Sequence, residues 1–230
     1  MSIQTAKTFN SIISFDQFKY KYNKSQRHAL DISCLKISPN QCIGLVGANG
    51  AGKSTLLKFL AGMYTSHDGI LKVNGSVKSI LNFPEIIPGF SGYELVKLTL
   101  LAFNNVDHQT LEKQLKWVHE FTGLNERFFD LVSTYSDGML ARLLFPCVLT
   151  SSKSDILIVD EAIFSVGDHE FIQKATEAFQ LFIKNYGTVI FASHNLEFIR
   201  KNCSKVIWLD NGKLKAFDLT ESVLAQYEKF

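Results

Sequence analysis

Nine consecutive residues carry the sharpest chemistry in the chain: Gly47-Ala48-Asn49-Gly50-Ala51-Gly52-Lys53-Ser54-Thr55. Their spacing fits G-x-x-x-x-G-K-[ST], a phosphate-binding P-loop. Gly47, Gly50 and Gly52 admit backbone angles and close approaches that a Cβ forbids. The loop N–H groups, those of Ala48, Asn49 and Ala51 included, then point at phosphate oxygens. The helix expected to start near Lys53 adds its positive end. Lys53 is expected to reach the β- and γ-phosphates. The Ser54 hydroxyl is placed to ligate Mg²⁺, and Thr55 closes the stretch counted as nucleotide-binding. A chance match has a probability of roughly 1% in a chain of this length.

Three further places suit the same chemistry. Asp160-Glu161 ends the apolar run Ile156-Leu157-Ile158-Val159. In a doubly wound sheet, ligands bind beyond the carboxyl ends of neighbouring strands. Asp160 is therefore expected beside the Mg²⁺, directly or through water. Glu161 is expected to face the attacking water as a general base. A solvated acidic strand end is the plainer alternative, and it loses weight beside a P-loop. His194 follows Ala192-Ser193 and should emerge on the same edge, within reach of a γ-phosphate or the water. Tyr135-Ser136-Asp137-Gly138 reads by itself as an N-cap opening a helix, whose start can bind an anion.

The elements that must position these residues alternate. Phe18-Lys19-Tyr20-Lys21-Tyr22 and Leu30 to Ile37 alternate as strands around a turn at Asn23-Lys24-Ser25-Gln26. Cys42 to Val46 is a short buried strand, and Leu56 to Ala61 a helix stopping at Gly62. Asp68-Gly69 and Asn74-Gly75 bracket Ile70 to Val73 as a hairpin signal. Residues 92–149 have helical spacing. Ile156 to Val159 and Thr188 to Ala192 read as buried parallel strands. His169 to Asn185 and Leu196 to Asn202 read as helices. Val206 to Leu209 and Lys213 to Phe217 form a last hairpin. Thr220 is expected to cap a terminal helix. The fold class is thus α/β, a mixed sheet with an antiparallel N-terminal part and a helical subdomain at about 92–150 inserted in a single domain, 1–230.

Bulk properties narrow the classes. The chain has 230 residues and can bury a substantial core. No apolar run is long enough to span a membrane, and the N-terminus lacks a signal-peptide core. A net charge of +2 does not favour nucleic acid as partner. Cys34, Cys42, Cys147 and Cys203 are scattered without C-x-x-C spacing and read as reduced core residues. The 19 phenylalanines exceed average usage; most are expected in the core, some on a docking surface.

In their order along the chain, the P-loop, the Ser136-x-Gly138 helix start, Ile-Leu-Ile-Val-Asp-Glu and Ala-Ser-His resemble an ABC transporter ATPase subunit. The resemblance covers nearly the whole chain. Tyr135-Ser136-x-Gly138-Met139 and Val166-Gly167-Asp168 are similar to the capsule-polysaccharide, O-antigen and teichoic-acid exporter group within it. The resemblance implies a P-loop NTPase fold, ATP and Mg²⁺ as cofactors, and a homodimer that sandwiches two ATPs. Ser136 and Gly138 would then complete the γ-phosphate site of the second copy. Asp168 would lie in the segment crossing that interface. Tyr20 matches the aromatic that stacks on adenine, with Tyr22 on the same strand face as the alternative. A separate membrane permease is implied, which places the chain peripherally on the cytoplasmic face of the inner membrane. The end at Phe230 looks like the short capsule type. Two departures stand out. The loop Asn82 to Gly92 lacks the usual glutamine, leaving Asn82 or Glu85 to supply its contact. Asp137 brings a carboxylate where glycine or serine is common, from which slow hydrolysis is expected.

The leading reading is an ATPase that powers export of a polysaccharide or lipid-linked glycan, with the apolar loop Asn82 to Gly92 as a docking surface for the permease. The alternatives are the ATPase of another exporter, and a non-transport or regulatory ABC ATPase with slow hydrolysis. One cassette without heptads disfavours ribosome- or DNA-acting relatives.

Overall fold

The computed structural model describes residues 11–23, 25–81, 89–104, 107–150, 153–160, 169–184 and 186–230. The strands are β1 (Ile13–Tyr20), β2 (Leu30–Ile37), β3 (Cys42–Val46), β4 (Asp68–Val73), β5 (Val77–Ile80), β6 (Ile156–Val159), β7 (Thr188–Ala192), β8 (Lys205–Asp210) and β9 (Lys213–Leu219). The helices are α1 (Lys53–Leu60), α2 (Gly92–Phe103), α3 (His108–Thr122), α4 (Asp137–Leu149), α5 (His169–Lys184), α6 (Leu196–Asn202) and α7 (Thr220–Tyr227). The chain divides into two compact units. One is Met1–Leu81, Ser154–Asp160 and Tyr186–Phe230; the other is Asn82–Lys153 and Glu161–Asn185.

The first unit holds one mixed sheet in the order β4-β1-β2-β9-β8-β3-β7-β6-β5. β8, β3, β7, β6 and β5 run parallel. Every residue of β6 and β7 is buried, as expected for strands covered on both faces. β1 pairs antiparallel with β2 and β4. Gln17 takes φ 47° and shifts the β1–β4 register between Asp16 and Lys19, a bulge that re-aims the end of β1. The core under this sheet includes Phe15, Phe18 and Phe59, whose rings meet edge to face at 5.0–5.1 Å.

The second unit packs its helices around Leu95, Val96, Leu100, Leu115, Val118, Leu143 and Leu144. Ser91 and Glu94 form a reciprocal capping box at the start of α2. Asp107 caps α3, and Gly123 ends it in the left-handed conformation. Pro146 lies inside α4, buried, so the helical run of the sequence continues through a residue that normally breaks it.

Three expectations need correction. Ile70 to Val73 does not form a hairpin with the strand that follows. β4 pairs with β1, while β5 lies at the opposite edge beside β6. The turn residues on both sides are real, but the chain after Asn74 crosses the sheet instead of folding back. Thr220 does not cap α7: it is the first helical residue, after an N-cap at Leu219, and its hydroxyl donates to the Cys203 carbonyl at 2.7 Å. The cysteines are not all interior. Cys147 and Cys203 are buried, Cys42 is half-buried and Cys34 is exposed. All four are free thiols. The Asn82 to Gly92 loop lies largely outside the described residues.

Candidate functional site

The P-loop joins β3 to α1. Gly47 has φ 153°, and a Cβ there would collide with the Leu209 carbonyl oxygen. Gly52 has φ 102°, and its Cβ would come within 2.8 Å of the Ala29 carbonyl. Both positions need glycine for conformation and for space. The loop is braced from behind by the β8–β9 turn. Gly212 N–H donates to the Ala51 carbonyl at 3.0 Å, and Asp31 N–H donates to the Gly212 carbonyl at 2.8 Å. Sequence reasoning missed this brace, because Ala51 and Gly212, 161 positions apart along the chain, give no local signal.

Lys53 Nζ spans the loop, donating to the Gly47 carbonyl at 2.5 Å and the Ala48 carbonyl at 3.2 Å. Its ammonium is thus held against the start of the loop. Ser54 Oγ donates to Asp160 Oδ2 at 3.4 Å. An exposed hydroxyl and a half-buried carboxylate so placed are hard oxygen donors that suit Mg²⁺. The P-loop motif and the acidic strand end, more than a hundred residues apart, therefore meet in the fold.

The parallel register explains the meeting. Leu45 pairs with Ala192, and Phe191 pairs with Val159. The chain thus leaves β3, β7 and β6 side by side into Gly47, Ser193-His194 and Asp160. His194 is exposed on this edge. Its neighbours hold the turn: Asn195 N–H donates to Ser193 Oγ at 3.0 Å, and Asn195 Oδ1 caps α6 by accepting from Phe198 N–H at 2.9 Å.

The two tyrosines part company. Tyr20, the last residue of β1, is half-buried among Phe59 and Tyr64, with centroids at 4.8 and 5.7 Å. Burial, with Tyr22 and Tyr64 nearby, raises its phenol above the usual range. Tyr22 lies beyond the end of β1 and is 40% exposed. Its hydroxyl shares a hydrogen bond with Thr55 Oγ1 at 2.9 Å. Tyr22 therefore touches the helix that carries the P-loop, and its ring remains open to solvent. An open cavity of about 650 Å³ lies alongside, lined by both tyrosines, Lys19, Lys21 and His67.

In the second unit, Ser136 is the N-cap of α4, accepting from Met139 N–H at 3.3 Å. Gly138 lies in the first turn, and Asp137 is exposed beside it. Tyr135 anchors this start by donating its hydroxyl to the Arg127 carbonyl. Glu161 and Asp168 lie outside the described residues. Among the described residues, no cluster of three or more His, Cys, Asp or Glu could hold a metal.

Residues 30–164 match the family described as ABC transporter. The chain is 36% identical over 203 residues to the teichoic acids export ATP-binding protein TagH of Staphylococcus saprophyticus, covering 88% of this chain and 76% of that protein. A solved ATP-binding subunit of an ABC transporter has the same fold, with a TM-score of 0.75 at 20% identity over 95% of this chain and 94% of the other. The dimeric bacterial ABC cassette MJ0796 matches with a TM-score of 0.72 at 18% identity, over 90% of this chain and 98% of the other. A loop that needs glycine at Gly47 and Gly52, the Ser54–Asp160 contact and this kinship agree: the chain belongs to the ABC transporter family, as one of its ATP-binding, ATP-hydrolysing subunits.

Proposed function

We propose that the chain powers export of a cell-surface polysaccharide or lipid-linked glycan through a separate membrane permease. The observation that carries the reading is the Ser54–Asp160 contact at the mouth of the P-loop, on the strand edge from which His194 emerges. The export substrate rests on the kinship with TagH. In this reading 1–230 acts as one ATP-binding domain, and Ser54 and Asp160 would hold Mg²⁺, which when bound would supply charge neutralisation for the phosphates. Lys53 and the amides from Gly47 to Thr55 hold the phosphates. Glu161 polarises the attacking water, and His194 orients it. Ser136, Gly138 and Asp168 serve the site of a second copy, as the dimeric MJ0796 cassette supports. Among the described residues no helix is long and apolar enough to cross a membrane. In this reading the chain works at the membrane's cytoplasmic face through its permease, as the kinship with an export ATP-binding protein supports.

The test is Glu161→Gln. The variant should bind ATP, hydrolyse almost none, and elute as a dimer with ATP but as a monomer without it. A variant that stays monomeric with saturating ATP defeats the sandwich. For the substrate, cells lacking the chain should lose surface glycan, and Lys53→Ala should fail to restore it; intact glycan in the null strain refutes the export reading.

A further inference from the structure

Cys42 and Cys203, 161 positions apart, place their sulfurs 3.6 Å from each other. Cys42 opens β3, and Cys203 follows the last turn of α6. Backbone bonds hold the pair in place. Ser204 N–H donates to the Cys42 carbonyl at 2.8 Å, and Cys203 N–H donates to the Ile199 carbonyl at 2.8 Å. Thr220 Oγ1 donates to the Cys203 carbonyl at 2.7 Å. One step further on, Ile43 pairs with Lys205 in the parallel β3–β8 ladder. Neighbouring strands lie about 4.8 Å apart, within the Cα spacing of about 4.4–6.8 Å that a disulfide spans. Bringing the sulfurs to bonding distance therefore needs side-chain rotation and little backbone movement.

We propose that Cys42 and Cys203 form a reversible intramolecular disulfide when the chain meets a small-molecule disulfide such as oxidised glutathione. Cys42 is the accessible sulfur, half-buried where Cys203 is buried. The greater exposure of Cys42 makes it the first to attack; the hydrogen bond to Cys42, with burial, also raises the Cys203 thiol above its usual range. The Cys42 thiolate attacks one sulfur of the external disulfide and expels a thiolate, leaving a mixed disulfide on Cys42. Cys203 then loses its proton to solvent, attacks the Cys42 Sγ and releases the second external thiol. Two protein thiols are oxidised, and one external disulfide is reduced to two thiols. The bond staples the start of the strand feeding the P-loop to the end of the helix that follows His194. Thiol reductants reverse it. The proposal goes beyond the ATPase reading and does not depend on it.

The experiment uses the full chain carrying Cys34→Ser, which removes the exposed thiol. After native incubation with oxidised glutathione, intact mass should fall by two hydrogens. Peptide mapping should link the segments containing Cys42 and Cys203, and dithiothreitol should reverse both changes. The oxidised form should melt at a higher temperature, because the crosslink closes a long loop. Cys42→Ala, at a half-buried position, should remain folded by circular dichroism and show neither the mass loss nor the Tm shift. A stable glutathione adduct on Cys42 without the internal link overturns the proposal, and so does a link that forms only in urea.

Discussion

Lys53 donates to two carbonyls of its own loop, and in the proposed reading a phosphate replaces them with charge-assisted bonds. Lys53→Ala should therefore weaken ATP binding about 10- to 100-fold, the cost of a hydrogen bond to a charged group, as measured by titration with a fluorescent ATP analogue. The tyrosines give a paired prediction. Tyr22→Ala should raise the Kd for ATP more than Tyr20→Ala, because Tyr22 is open and bonded to Thr55. Tyr20→Ala should instead lower Tm, because its ring packs on Phe59 and Tyr64. Equal effects on Kd would refute the division of labour. Asp137 is exposed in the first turn of α4, where a carboxylate favours its own helix but opposes a γ-phosphate. Asp137→Ser should speed turnover of the assembled transporter, and unchanged turnover would remove Asp137 as the brake.

At the scale of elements, Asp155 ties the approach to β6 to the approach to β5. Its carboxylate accepts from Ser76 N–H at 2.7 Å and from Ser76 Oγ at 2.8 Å. The backbone bond first, then the hydroxyl, holds this carboxyl below its ordinary range. A depressed carboxyl stabilises the fold above its unfolded-state pKa, and that stability fades as pH falls through its folded value. Wild type should thus lose stability on acidification more steeply than Asp155→Asn in parallel urea melts. Deeper in the sheet, Phe18→Ala should cost about 3–5 kcal/mol, readable from the same melts. Elements with a local cause were legible in the sequence: β6 and β7 through unbroken apolar runs, α1 through the P-loop before it and Gly62 after it. What escaped depended on distant partners. The Asp68-Gly69 and Asn74-Gly75 turns do not say which strand β4 will join. Thr220 looks like a cap until the Cys203 carbonyl is known to lie opposite. The bulge at Gln17 leaves no mark, since glutamine rarely takes positive φ. Of the site, Ser54, Asp160 and His194 could be placed on one edge because parallel strands share their carboxyl ends. The contact of Tyr22 with Thr55 could not, because it forms beyond the end of β1.

For the whole molecule, the sandwich reading makes hydrolysis a bimolecular property. Specific ATPase activity of the isolated chain should rise with protein concentration and level off once dimers dominate; a rate per molecule that is flat across dilution would argue for a self-sufficient monomer. The brace behind the P-loop has another consequence, one of timing. A ribosome makes Gly47 to Thr55 long before Gly212, which supports Ala51. The strands beside β3 in the sheet, β7 and β8, are also late arrivals. A nascent chain therefore carries its nucleotide loop without this brace until β8 and β9 have been made. Capture of ATP by a braced loop thus awaits Gly212, which makes nucleotide binding a report on whether the β8–β9 turn is in place as well as on the loop itself.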